Sequence, residues 1–143
     1  MSENTTVLKD KAYYSKYLNN AKIDESEVDM GEVDAIAYIE KTYPETAKEF
    51  QRLQFEQYSL FCKKQMDYGP SNIAMGTSLE TDEEKRLSKI GLIVRINDKI
   101  QRLINLVVRN NRKAQNEPTI DAFKDLACYG IIAQIVDAGK WGK

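Results

Sequence analysis

The chain is expected to fold as an all-α domain, a bundle of about four to five helices. Apolar residues recur at three- and four-residue spacing through most of it, helix start and stop signals cut it into blocks, and strand signals are weak, with no Asn-Gly hairpin and no sustained alternation. At 143 residues it supports one domain. A chain of this size buries roughly 68–70% of its unfolded surface, enough for one core without metal or disulfide staples.

The elements follow in order. Residues 1–28, with Tyr13, Tyr14 and Tyr17, read equally as an arm or a short helix, and residues 29–143 as a single domain. Val33, Ile36, Tyr38 and Ile39 keep helical spacing until Tyr43-Pro44 ends the block, because the residue before proline resists the α region. A longer block opens at Glu45 and runs to about Asp67. Its apolar positions, among them Phe50, Leu53, Phe55, Tyr58, Phe61 and Met66, wrap more than one face, which predicts packing on two sides.

Tyr68-Gly69-Pro70 stops that helix and opens a loop to residue 81, long for a compact helical domain and so expected to be functional or mobile. Thr81-x-x-Glu84 is a capping box, with Asp82, Glu83 and Glu84 placed where the helix dipole favours acids. The helix it starts is expected to reach Arg112, with Ile93, Ile96, Ile100, Leu103, Ile104, Val107 and Val108 as its buried stripe. Pro118 suits the first turn of the last helix, and Gly139 suits the position just past its end.

Composition excludes whole chemistries. There is no histidine, so Ser-His-Asp and Cys-His nucleophiles, His-ligated zinc and an imidazole base are absent. Cys62 and Cys128 stand 66 positions apart in apolar surroundings and read as buried free thiols. There is no apolar signal region and no run of 18 apolar residues, so a cytosolic protein off the membrane is expected. The net charge of −1 is a cancellation: residues 1–60 hold 12 acids and 7 bases, residues 82–113 hold 4 acids and 9 bases. The basic segment can attract phosphates or pair with acids of the same chain. With no Lys/Arg-rich block and no aromatic interleaving, the sequence argues against duplex nucleic acid as a partner.

Polar residues on the helices fall into stripes. Arg95, Asp98, Lys99 and Arg102 share one face at i, i+3, i+4 and i+7, which reads as a solvated ladder or as the polar lining of a cleft. Glu117, Asp121 and Asp125 sit at steps of four. Dipole compensation accounts for Glu117 and Asp121. Asp125, two turns in and beside Phe123 and Leu126, suits a carboxylate that converges with others on Mg²⁺ and a phosphate chain. Lys63, Lys64, Asp67, Tyr68 and Asn72 close the second block: lysine for phosphate, Asn72 for a base edge, Tyr68 for a ring, or simply a favourable helix end.

Three segments in order, Lys63-Lys-Gln-Met-Asp67-Tyr68-Gly69, Gly91 through Arg95, Asp98, Lys99 and Arg102 to Asn105, and Glu117-Pro-Thr-Ile-Asp121-Ala-Phe-Lys-Asp125 to Tyr129, resemble the nucleotide modification associated domain of phages and bacteria. That family is related to the all-α nucleoside triphosphate pyrophosphatases of the MazG and dimeric dUTPase type. The resemblance covers about residues 50–138. It implies an all-α fold completed by homo-oligomerisation, a host-cytoplasmic location and a nucleotide pocket between helices. By position it implies Lys64, Asp67, Tyr68, Gly69 and Asn72 at the nucleotide, Arg95, Lys99 and Arg102 at phosphate, and Asp98, Asp121 and Asp125 at Mg²⁺. The pyrophosphatases of the wider superfamily set a Glu-x-x-Glu pair against Glu-x-x-Asp, whereas only Glu56 stands where the first pair belongs here. The expected function is therefore binding, and with it sequestration, of a nucleotide or nucleotide-derived signal, with the segment at 68–81 as a lid. Mg²⁺-dependent pyrophosphohydrolysis is the alternative, and a helical adaptor whose stripes are subunit contacts is the third.

Overall fold

The computed structural model describes residues 30–143, with side chains from residue 35 onward. The readings for residues 1–28 lie outside them. The described residues are helical throughout their regular structure, with no strand among them: α1 (Met30–Thr42), α2 (Pro44–Tyr68), α3 (Ser71–Ala74), α4 (Asp82–Leu103) and α5 (Thr119–Asp137). The all-α class is as the periodicity predicts. No described helix is long and apolar enough to cross a membrane.

Two compact units meet within α2, one reaching Gln54 and the other spanning Phe55–Lys143. In the first, α1 stops where Pro44 predicts, and Pro44 itself starts α2, since its missing N–H costs nothing in a first turn. Gln51 Nε2 donates to Glu40 Oε1 at 3.0 Å. Arg52 grips both carboxylate oxygens of Glu49, at 2.6 and 2.9 Å, and holds that carboxyl below its usual range.

The second unit is built on α4 and α5, which run antiparallel: Lys89 meets Asp137, and Lys99 meets Asp125. The capping box at Thr81 forms in both directions, its side chain accepting from the Glu84 N–H while Glu84 accepts from the Thr81 N–H. At the far end α4 falls short of Arg112. Its last turns loosen into a π-helical segment, Ile104–Arg109. Gly139 takes a left-handed φ of 68° past the end of α5, the conformation that residue type supplies without a Cβ penalty.

The core joins Ile73, Ala74, Leu79, Leu92, Ile132, Val136 and Trp141. Three of these come from the stretch read as a loop. It contains the single turn α3, and Ser88, wholly buried on α4, donates its hydroxyl to the Ile73 carbonyl at 2.5 Å. The segment is thus part of the core, because Ile73, Ala74 and Leu79 supply apolar surface that α4 and α5 leave uncovered. Two burial expectations are corrected. No side chain of α2 is buried, and of the expected stripe Ile93 and Ile100 on α4 and Val107 and Val108 on the π-helical segment are exposed. Burial falls instead on Ser88 and Leu92, whose side of the helix meets α3 and α5.

Candidate functional site

The second half of α2, α3, α4, α5 and Trp141 enclose a cleft of about 290 Å³. Four of its lining residues are aromatic: Phe61, Tyr68, Tyr129 and Trp141. Trp141 is buried, meets Phe61 edge-on with ring centroids 6.1 Å apart, and donates its indole N–H to the Pro70 carbonyl at 3.0 Å. Edge-to-face pairing suits the ring quadrupoles, and the satisfied indole N–H permits burial. The ring is thereby fixed, whereas Tyr68 is largely exposed at the mouth.

Other lining residues are polar or charged. Lys64, Arg95 and Lys124 line the cleft with Asp125, Gln57, Gln65 and Asn72. The Arg95 guanidinium donates to the Asn72 carbonyl at 3.3 Å, and the Asn72 Oδ1 accepts from the Ile73 N–H at 2.9 Å. Lys124 lies 3.5 Å from Glu56. Asp125 is shared, with Lys99 at 2.8 Å on one oxygen and Lys64 at 3.6 Å on the other, so one carboxylate ties α2, α4 and α5 together. Its hydrogen bond holds the Lys99 ammonium above the usual lysine range against the opposing effect of partial burial. Burial pushes the Cys128 thiol up although nearby Lys64 acts the other way, so this cleft residue is a neutral thiol at physiological pH. Four cations stand here against the two carboxylates Glu56 and Asp125, and the cleft is electropositive.

The structure brings Lys64, Tyr68, Asn72, Arg95 and Asp125 to the cleft, with Lys99 behind Asp125. Others fall elsewhere. Gly69 caps α2 at a φ of 63°, its N–H donating to the Gln65 carbonyl, and it and the exposed Asp67 are outside the lining. Arg102 donates to the Glu117 backbone carbonyl rather than pairing with Asp98. Asp98 is exposed, and Asp121 sits in the first turn of α5, its N–H donating to the Pro118 carbonyl. Among the described residues no three His, Cys, Asp or Glu side chains gather to hold a metal ion. The expected Mg²⁺ set of Asp98, Asp121 and Asp125 is therefore not assembled, and two lysines already occupy the oxygens of Asp125.

Sequence reading missed Phe61, Lys124, Tyr129 and above all Trp141 as cleft residues. The signal available for Trp141 was its being the only tryptophan, set between Gly139 and Gly142 just beyond a helix end. No protein-family model, no curated protein and no solved structure matches the chain.

Proposed function

We propose that the cleft binds a nucleotide or a nucleotide-derived small molecule and retains it intact. The observation that carries the reading is the gathering of aromatic rings, Trp141 fixed among them, with the cations Lys64, Arg95 and Lys124 in one cleft of about 290 Å³. A flat heteroaromatic ring and an anionic tail are the two halves of a ligand that such a lining complements. The volume sits at the small end of ligand pockets and suits one nucleoside unit. Phosphate would compete with Asp125 for Lys64, the more distant of that carboxylate's two partners, while Lys99 keeps Asp125 neutralised. Retention is favoured over hydrolysis because the one carboxylate among the lining residues is engaged by lysines and, among the described residues, no three His, Cys, Asp or Glu side chains gather to hold a metal.

The test is a depletion assay. The purified chain is mixed with nucleoside mono-, di- and triphosphates and cyclic dinucleotides in the presence of Mg²⁺, and the mixture is chromatographed before and after heat denaturation. Intact ligand recovered only after denaturation is the expected result. New products would replace retention by pyrophosphohydrolysis, and no depletion of any compound would refute both. Arg95→Ala should weaken binding by about tenfold or more, the worth of a hydrogen bond to a charged group, as measured by titration calorimetry.

A further inference from the structure

We infer that Asp125 is a built-in competitor for the anion this cleft takes: its carboxylate engages Lys64, so a phosphate gains that lysine only by displacing it. This rests on the reading of the cleft as a nucleotide site, and it concerns how tightly the anionic end is held.

The helices aim both groups at one space. On α2, Gln57, Phe61, Lys64 and Tyr68 stand at helical spacing, as Asp125, Cys128 and Tyr129 do on α5, and all of them line the cleft. One stripe of each helix thus faces inward, and Lys64 Nζ stands 3.6 Å from Asp125 Oδ1. The three cations of the lining differ in what engages them. Arg95 donates to a neutral carbonyl, that of Asn72. Lys124 is 3.5 Å from Glu56, which is not among the lining residues. Of the three, Lys64 alone is matched by a carboxylate that itself lines the cleft.

Asp125 cannot follow its partner away. Lys99 holds the other oxygen at 2.8 Å, within hydrogen-bond distance, and stands outside the lining. The two lysines are unequal: the Lys99 side chain is 26% exposed and that of Lys64 53%, and 3.6 Å is too long for a hydrogen bond. The longer, more solvated pair is the weaker one and the one that exchanges. An arriving phosphate therefore takes Lys64 and leaves the carboxylate on Lys99. A site whose cation is already engaged binds more weakly, in proportion to the share of molecules in which that cation is free. Asp125→Asn consequently has a distinctive sign. Removing a carboxylate that held a metal, or that only ordered the cleft, lowers ligand affinity; removing a competitor raises it.

Inorganic pyrophosphate is the probe, titrated by calorimetry with and without Mg²⁺, because it reports on the anion whether or not a base is recognised. Asp125→Asn, with an unchanged helical circular dichroism spectrum, should bind it about fivefold more tightly, the strength of a partly exposed ion pair. In the Lys64→Met background the same change should bring less than about twofold, because the gain runs through Lys64. Equal or lower affinity in Asp125→Asn overturns the proposal, as does a gain that survives Lys64→Met, or pyrophosphate binding to neither protein. A measurement on the wild type guards against misfolding of the variants: pyrophosphate should move the Lys64 side-chain resonances further than those of Lys99, and unmoved Lys64 resonances overturn the proposal too. The depletion assay judges the nucleotide reading separately. Nucleotide retained by the wild type, with no gain in Asp125→Asn, removes the competitor and leaves the site.

Discussion

The antiparallel pair α4–α5 is held differently at its two ends. Where α4 begins and α5 finishes, the helices interlock through Leu92, Ile132 and Val136, with α3 and Leu79 sealing the edge and Ser88 spending its one hydroxyl on the Ile73 carbonyl. Where α4 finishes and α5 begins, only Leu106 and Ala122 are buried apolar residues, and the ties between the elements include Lys99 on Asp125 and Arg102 on the Glu117 carbonyl. The cleft opens between these regimes. The main buried cluster lies in one half, and charged pairs are prominent in the other, so charged residues facing the cleft are expected to change there at smaller cost to the fold than core residues.

The largest test of that contrast is Leu92→Ala. Leu92 is 2% exposed, and its truncation should cost about 2–5 kcal/mol, the range for deleting buried leucine atoms into a core that relaxes only partly. Urea denaturation would show it, and a loss below 1 kcal/mol would erase the distinction between the halves. Lys99→Met, which keeps the stem and removes the charge, should cost no more than about 1 kcal/mol. Because the lysine is raised above its usual 10.5, its contribution is complete below that value and fades as pH climbs through the raised one, so wild type and variant should converge in strong alkali. Smallest is Asp137→Asn. The Lys89 hydrogen bond depresses the Asp137 carboxyl below 3.8, so its contribution is present above that pH and is lost as pH falls through the depressed value. Melting curves of the two proteins should separate slightly near neutrality and coincide in acid.

Local signals in the sequence were legible where short-range chemistry decides the outcome. Thr81 and Glu84 specify their cap within four residues, Tyr43-Pro44 and Gly69 mark their helix ends, and Gly139 finds the left-handed region. The sharing of one face by Arg95 and Lys99, and the reach of Lys64, Tyr68 and Asn72 to the same place, followed from helical spacing and from resemblance. What spacing cannot reveal is which of two apolar stripes on α4 meets the core, since both Leu92 and Ile93 belong to sequences of helical period. Nor does it show that Asp125 meets lysines of two other helices, which makes it a hub of ion pairs. Trp141 was illegible for the same reason: its partners, Phe61 and Pro70, lie about seventy to eighty residues earlier.

The stretch between α2 and α4 bears on the timing of ligand exchange. The amides of Ala74, Gly76 and Thr77 donate to Pro70, Ser71 and Ala74, and Leu79, although its φ is 57°, keeps its side chain in the core. Breaking those bonds means withdrawing Ile73, Ala74 and Leu79 from among Leu92, Ile132 and Val136, so these three protons should exchange with solvent deuterium as slowly as those at the centre of α5. A solute would then enter and leave through side-chain rotation at the exposed Tyr68, on nanoseconds, without waiting for backbone to swing aside. Residence in the cleft would be set by the strength of the contacts made there and not by the opening of a door.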